Sequence, residues 1–218
     1  MTRARPSLDV SSCLLEPERF SPDACLNWND LFGDGREVEM EIGSGKGLFL
    51  VNAAAANPDR GFFGIEISKK YARLAAERAV KAGVANVRLW PGDARPVVGR
   101  LVPDASVAAV HVYFPDPWWK KRHKKRRVFT GSLVESIVRI LKPGGRLEVV
   151  TDVEEYFEVM RELLASEERL LEQPSPAAKE PEHDLDYLTN FERKFRIEGR
   201  PIHRASYRKA ESPGPALR

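Results

Sequence analysis

Short apolar segments alternate with helical segments from residue 38 to residue 165, and this alternation restricts the fold more than any other feature. Val38–Ile42 has the period of a strand, and a glycine-rich turn separates it from a helical segment that ends before Asn57. Val107–Tyr113 is almost wholly apolar, as expected for a strand that helices cover on both sides. Strand and helix in alternation predict an α/β fold with a mainly parallel sheet.

The alternating region forms the centre of one predicted domain, residues 36–209. We expect an irregular N-terminal segment at 1–35 and a disordered tail at 210–218. The C-terminal tail, which carries Phe191, Phe195 and Ile197, is expected to add one or two strands as an antiparallel edge of the sheet. Further strands are predicted at 61–66, 87–90 and 147–150, and further helices at 69–82, 133–141 and 153–165.

Composition excludes several classes of protein. The chain has 218 residues, 42% hydrophobic and 31% charged, with a formal net charge of +3, which is typical of a soluble globular domain. The two cysteines form no CxxC pair and the four histidines lack metal-ligand spacing, so no metal is expected. The sequence suggests neither a secretory leader nor a membrane span, so we expect a cytoplasmic protein with no membrane partner.

The glycine-rich turn after the first strand reads Gly43-x-Gly45-x-Gly47. Turns at this place in open α/β sheets bind nucleotide-like ligands, because glycine lets the backbone approach the ligand closely. Leu48 stands where a dinucleotide fingerprint has its third glycine, which disfavours a nicotinamide oxidoreductase. A tight turn without a ligand remains an alternative for the glycines considered alone.

Carboxylates follow the predicted strands at the same edge of the sheet. Glu41 lies just before the glycines, Glu66 ends the second strand where it can accept from ribose hydroxyls, and Asp93 is placed to meet an adenine amino group. Glu66 or Asp93, considered alone, is equally well explained as a cap of the helix that follows it. Several acids without a compensating cation favour a cationic ligand that carries no phosphate, and S-adenosylmethionine is such a ligand.

An aspartate between two prolines follows the apolar strand. Asp116 lies beside the glycine turn in the expected topology, facing the reactive methyl group, and each proline favours extended backbone in the residue before it. Trp118 and Trp119 are explained either as core residues or as stacking platforms. The run 120–127 has seven cations in eight residues, which indicates a loop that binds a polyanion.

The motifs together resemble the bacterial tRNA (guanine-N7-)-methyltransferases, over about residues 26 to 208. The stretches that carry the resemblance are Glu41-Ile-Gly-Ser-Gly-Lys-Gly47, Gly64-Ile-Glu66, Gly92-Asp-Ala94, Phe114-Pro-Asp-Pro-Trp118, Arg122-His-Lys-Lys-Arg-Arg127, Thr151-Asp152 and Thr189-Asn-Phe-Glu192. The resemblance implies a class I methyltransferase fold, Rossmann-like, with helices on both faces of the sheet. It also implies methyl transfer from S-adenosylmethionine to N7 of a guanosine in the tRNA variable loop, with S-adenosylhomocysteine as product.

The resemblance further implies roles for individual residues. Asp116 would be the catalytic residue. Cofactor binding would fall to Glu41, Gly43, Gly45, Glu66, Asp93 and Asp116. The substrate would be bound by Lys120, Asp152, Thr189, Asn190, Phe191 and Glu192. RNA would be contacted by Arg122, His123, Lys124, Lys125, Arg126 and Arg127.

Two other functions remain compatible with the residues. One is a methyltransferase that acts on another RNA or DNA acceptor, since exocyclic-amine methyltransferases also place an Asp-Pro or Asn-Pro element after the fourth strand. The other is an RNA-binding protein that keeps the fold without chemistry, which the full set of cofactor acids disfavours. Both a monomer and a homodimer are compatible with the sequence.

Overall fold

A seven-stranded sheet forms the centre of the protein. The computed structural model describes residues 8–22, 24–33, 35–118, 127–175 and 189–211. The strands are β1 (Val38–Ile42), β2 (Gly61–Glu66), β3 (Val87–Pro91), β4 (Val107–Tyr113), β5 (Leu141–Thr151), β6 (Leu170–Gln173) and β7 (His203–Lys209). Their order is β3-β2-β1-β4-β5-β7-β6; β1 to β5 are parallel, and β7 runs antiparallel to both β5 and β6. The predicted α/β fold with a C-terminal antiparallel edge is confirmed.

Helices cover both faces of this sheet. They are α1 (Trp28–Phe32), α2 (Leu48–Ala56), α3 (Lys69–Lys81), α4 (Ala94–Pro96), α5 (Gly131–Ile140), α6 (Glu154–Ala165) and α7 (Asn190–Ile197). α5 begins two residues before its predicted start because Thr130 caps it, accepting a hydrogen bond from the N–H of Leu133 at 3.3 Å.

The two faces of the sheet have separate cores. On one face Met40, Val110 and Leu147 pack in a large apolar cluster that includes residues of α5 and α6. On the other face Phe62 and Leu89 pack against residues of α2 and α3. The chain passes outward from β1 to β3 and then crosses back to β4, so the carboxyl ends of β1 and β4 border a crevice, the usual ligand site of such sheets.

The C-terminal tail adds an antiparallel strand, β7, as predicted, but the segment 190–197, which carries Phe191, Phe195 and Ile197, lies outside that strand. That segment forms helix α7, because the side chain of Thr189 accepts a hydrogen bond from the N–H of Glu192 at 3.0 Å and caps the helix. The antiparallel edge is provided by the next segment, β7. The order Thr-x-x-Glu is a capping-box signature, so the sequence did contain the signal for this helix.

The described part of the N-terminal segment lies on the domain. Leu14 forms a bridge with Leu89 of β3, and the indole of Trp28 packs edge-on against Phe63 with ring centroids 5.3 Å apart. Trp28 also donates a hydrogen bond to Ser106 at 3.0 Å. α1 therefore lies at the amino-terminal ends of β2 and β4, opposite the crevice. None of the described helices has the length and apolar composition that a bilayer span requires.

Candidate active site

A cleft opens where the carboxyl ends of β1 and β4 meet the N-terminus of α7. Its wall is formed by the glycine turn, the first residues of α2, the last residue of β4 and the start of α7. The lining residues are Glu41, Gly43, Ser44, Gly45, Lys46, Leu48, Phe49, Tyr113, Thr189 and Phe191. Five predicted site residues therefore share one cleft, at the position that the topology predicts for a ligand.

Glu66 fixes the conformation of the glycine turn through hydrogen bonds. Its carboxylate accepts a hydrogen bond from the N–H of Gly45 at 2.8 Å and another from the N–H of Ser68 at 2.8 Å. Gly45 has a φ of +54° and Gly47 a φ of +72°, and a Cβ at Gly47 would lie 2.7 Å from the Cβ of Ala75. Glycine is therefore required at Gly47 for the turn to pack on α3. Glu66 fixes the turn and keeps further lone pairs for a ligand.

Glu41 is the most unusual acid of the cleft. It is 2% exposed, and within the described part of the chain its Oε2 atom has no hydrogen-bond partner. Burial, together with the nearby charge of Glu66, raises the pKa of Glu41 well above its ordinary value. A buried oxygen that lacks a partner but lines a cleft is suited to a ligand that brings hydrogen-bond donors and positive charge.

The proline-aspartate segment leaves β4 in a strained conformation. Phe114 and Trp118 have φ values of +49° and +43°, in the left-handed region that non-glycine residues rarely adopt. Phe114 precedes Pro115, so the expected extended backbone is not found there. Asp116 lies between the two strained residues and is exposed, while Trp118 is half-buried. Such strain costs about 1–3 kcal/mol per residue and is concentrated at functional sites.

Arg127, predicted to contact RNA, is engaged within the protein. Its Nε atom donates to the carbonyl of Pro117 at 2.6 Å, and its guanidinium lies 5.0 Å from the ring centroid of Tyr156 on α6. This arginine therefore ties the proline-aspartate segment to α6. Trp119 and the predicted site residues Lys120, Arg122, His123, Lys124, Lys125 and Arg126 lie outside the described residues.

Asp93 and Asp152, two of the predicted acids that follow strands, have arginine partners. Asp93 caps α4 by accepting from the N–H of Arg95 at 2.9 Å, and it also pairs with that guanidinium at 2.5 Å. Hydrogen bonds from Arg95 lower the pKa of Asp93 despite its partial burial. Asp152, whose side chain is 8% exposed, forms an ion pair with Arg200. Both acids follow strand ends as predicted, but neither lines the cleft.

The segment that begins at Thr189 contributes an apolar surface to the cleft. Thr189 is buried as the cap of α7, Asn190 is the first residue of that helix, and Phe191 is 51% exposed beside Phe114 at 6.3 Å between ring centroids. Glu192, unlike Phe191, is buried. Its Oε1 atom is paired with Arg196 at 3.1 Å and with Arg204 of β7.

Sequence reasoning missed a polar chain behind the cleft. Tyr113 lines the cleft and its hydroxyl lies 2.7 Å from Nδ1 of His111, whose Nε2 lies 2.9 Å from a carboxylate oxygen of Glu39. A period of two places Glu39 and Glu41 on one face of β1 and His111 and Tyr113 on one face of β4, so strand periodicity contained the signal. Lys46 was also missed as a cation at the cleft. No group of three or more potential metal ligands occurs among the residues that the structure describes.

Comparisons with known proteins place the chain among methyltransferases. A family model described as a putative methyltransferase matches residues 36–205. A tRNA (guanine-N(7)-)-methyltransferase of Rhodopirellula baltica is 44% identical over 215 residues, which cover 96% of this chain and 79% of that protein. A tRNA (guanine-N(7)-)-methyltransferase of Shewanella amazonensis is 38% identical over 175 residues, covering 80% and 73%.

Solved structures with this fold are more distant in sequence. The crystal structure of the 16S rRNA methyltransferase KamB has a TM-score of 0.58 at 19% identity, covering 85% of this chain and 93% of that one. TrmN from Thermus thermophilus has a TM-score of 0.58 at 17% identity, covering 81% and 45%. At these identities the similarity supports the class I methyltransferase fold alone.

Proposed function

This chain belongs to the tRNA (guanine-N(7)-)-methyltransferase family, and from that membership we propose that it transfers a methyl group from S-adenosylmethionine to N7 of a guanosine in the variable loop of tRNA. The observation that carries the proposal is the relationship over 96% of the chain, which includes both the cleft and the proline-aspartate segment. The methyltransferase activity follows from the family. The individual residue roles below are our proposals.

The residues of the cleft fit S-adenosylmethionine. Glu41 offers a buried oxygen without a partner among the described residues, which suits the α-ammonium group of the ligand. Glu66 has lone pairs left for the ribose hydroxyls after it has fixed the turn. Gly43 and Gly45 let the backbone lie against the ligand. Asp93 would accept a hydrogen bond from the adenine amino group through a lone pair that Arg95 does not use.

The methyl donor, when bound, supplies a methyl group on positively charged sulfur, which a lone pair can displace. Guanine N7 has a free lone pair at neutral pH, so the protein need not remove a proton from the acceptor. Its main task is to hold the base at near-contact distance and in line, which alone is worth several kcal/mol. Methylation leaves positive charge on the purine, and the exposed carboxylate of Asp116 is placed after β4 to stabilise that charge.

Recognition of the base and of the RNA involves other residues. We propose that Thr189, Asn190 and Phe191 bind the guanosine, with the exposed ring of Phe191 as a stacking surface. Asp152 and Glu192 were predicted to bind the substrate and remain proposals. Each is already paired with arginine, so each would act by fixing the segment around it or by exchanging that partner. The cations of the run 120–126 would bind phosphates, whereas Arg127 would hold the proline-aspartate segment against α6.

The test uses purified protein, labelled S-adenosylmethionine and unmodified tRNA. We expect incorporation of label and a single new site of aniline-induced cleavage in the variable loop, because N7-methylguanosine is cleaved after such treatment. Asp116→Asn should lower the methylation rate by about a hundredfold, since it removes the charge beside the acceptor and keeps the size of the side chain.

Asp30→Asn is the matched control, since Asp30 is an exposed acid on α1, at the opposite edge of the sheet. It should methylate tRNA at the wild-type rate. A wild-type protein that methylates no guanine N7 in any tRNA would contradict the proposed function. A wild-type rate in Asp116→Asn would contradict only the role of Asp116.

A further inference from the structure

Three exposed lysines, which we call the lysine surface, lie beside the cleft on the side of α3. They are Lys46 of the glycine turn and Lys69 and Lys70 in the first turn of α3. Lys46 lines the cleft, and its Nζ atom lies 5.7 Å from the ring centroid of Tyr71, which is also in the first turn of α3. That contact joins the glycine turn to α3, so the three lysines belong to one continuous surface at the cleft.

The protein does not neutralise the charge of the lysine surface. Within the ranges that the structure describes, Lys46, Lys69 and Lys70 take part in no ion pair, and the first turn of α3 holds no acid. Arg73, one turn further along the same helix, is by contrast paired with Glu77 at 3.1 Å. The positive charge of the three lysines is therefore available to a partner outside the chain.

The three lysines stand where the electrostatics of a helix disfavours them. The N-terminus of a helix carries partial positive charge, which favours acids in the first turn and disfavours cations. Lys69 and Lys70 directly follow Ser68, the N-cap of α3, and Lys46 directly precedes Gly47, the N-cap of α2. Three cations at two helix N-termini reduce the stability of the fold slightly, so folding alone does not account for them. A polyanion on this surface would remove the repulsion and gain from every lysine.

The sheet order places the lysine surface and the proline-aspartate segment on opposite sides of the cleft. The strands around the glycine turn are ordered β2-β1-β4; α3 follows β2, and the proline-aspartate segment follows β4. The run 120–126 continues from that segment in the sequence. An RNA whose guanosine enters the cleft has phosphates on both sides of that nucleotide, and cations on both sides would fix its position without reading its sequence.

We propose that Lys46, Lys69 and Lys70 form a second RNA-binding surface, which contacts phosphates of the tRNA on the β2 side of the cleft. The inference rests on the proposed function, since it takes tRNA as the partner, and it adds the side of the protein along which the RNA continues. Lys46, at the wall of the cleft, is placed for a phosphate next to the guanosine, and the ring of Tyr71 holds it there. Lys69 and Lys70 are placed for phosphates farther along the RNA.

The test measures the affinity for unmodified tRNA as a function of salt concentration. The logarithm of the affinity falls with the logarithm of the salt concentration, and the slope reports how many phosphates the protein neutralises. Lys69→Gln/Lys70→Gln should reduce this slope by about one to two and weaken binding by about tenfold at about 0.1 M salt. Lys46→Gln should reduce the slope by about one. The affinity of the double variant for S-adenosylhomocysteine, measured by calorimetry, should change by less than about twofold.

Two variants control for charge and for position. Lys69→Arg/Lys70→Arg keeps both charges and should keep the wild-type slope. Lys81→Gln removes an exposed lysine from the last position of α3, at the opposite edge of the sheet, and should leave the slope and the methylation rate unchanged. Because the lysines of the first turn oppose the helix dipole, Lys69→Gln/Lys70→Gln should not lower Tm in the absence of RNA.

The outcomes are distinguishable. An unchanged slope in Lys69→Gln/Lys70→Gln, or an equal reduction of the slope in Lys81→Gln, would overturn the lysine surface while leaving the proposed function in place. A reduced slope together with a Tm that is lower by more than about 5 °C would also overturn it, because the lysines would then have a structural role. A wild-type protein that neither binds nor methylates tRNA would overturn the proposed function itself.

Discussion

Glu39→Gln tests the electrostatics that underlie the site. The wild-type carboxylate has a pKa of about 2 instead of its ordinary 4.5, because His111 and arginine partners outweigh the effect of burial. A shift of one pKa unit between the unfolded and the folded state corresponds to about 1.4 kcal/mol, so the ionised carboxylate contributes about 3 kcal/mol to folding at neutral pH. A glutamine of the same size keeps the packing and removes the charge.

The sign of the pH dependence follows from the lowered pKa. Since the unfolded chain binds a proton near pH 4.5 and the folded chain only near pH 2, the contribution is present above the first value and is lost as pH falls toward the second. The difference in unfolding free energy between wild type and Glu39→Gln should be about 3 kcal/mol at pH 7 and should shrink by about 2 kcal/mol at pH 3. At neutral pH the Glu39→Gln substitution should lower Tm by roughly 6 to 12 °C.

The assay is urea unfolding followed by circular dichroism across this pH range. Glu37→Gln is the control, because Glu37 is half exposed and its carboxylate lies 3.7 Å from Lys142. The control should change stability by less than about 0.5 kcal/mol at any of these pH values. A difference for Glu39→Gln that is below about 1 kcal/mol at pH 7, or that does not shrink in acid, would refute the reasoning.

Two further predictions concern groups at and beside the cleft. Burial raises the pKa of Glu41, and a cationic ligand favours the ionised carboxylate, so binding of S-adenosylhomocysteine should lower that pKa and should weaken as pH falls. Calorimetry in buffers of different ionisation enthalpy should detect a release of protons on binding that grows as the pH is lowered in the wild type and is absent in Glu41→Gln. Arg127→Gln should lower the unfolding free energy by about 1–2 kcal/mol, because it loses the contacts to Pro117 and Tyr156. It should leave the salt dependence of tRNA binding unchanged, whereas a phosphate contact at Arg127 would reduce the salt slope by about one.

Local patterns in the sequence were sufficient for most of the fold. The strand periods, the glycine turn and the run Val107–Tyr113 predict the parallel sheet and the place of the cleft, because burial on both faces and tight turns each require particular residue types. The helix at α7 was missed, although Thr189 and Glu192 have the spacing of a capping box. Its aromatic residues suggested a strand more strongly than the cap suggested a helix.

The partners of the acids were not predictable in the same way. Asp152 pairs with Arg200 and Glu192 with Arg204, and these partners come together only when α7 and β7 pack beside β5. The same limit applies to His111, whose partner on β1 is 72 residues away. A single sequence gives the position of an acid at a strand end, but tertiary packing decides whether a cation of the protein already neutralises it.

Whether an acid is already paired with arginine indicates how much it can contribute to ligand binding. A carboxylate that already accepts from arginine, such as Glu192, gains little from a ligand donor, because one charge-assisted hydrogen bond only replaces another. Glu41 gains the whole interaction, since its Oε2 atom has no partner among the described residues and remains costly until a donor arrives. The buried Oε2 atom of Glu41 therefore lowers the stability of the folded protein at the point where the ligand's positive charge is expected, while the residues around that point are held in place. This arrangement favours a cationic ligand over a neutral one of the same shape, because only the cation relieves the burial of Glu41.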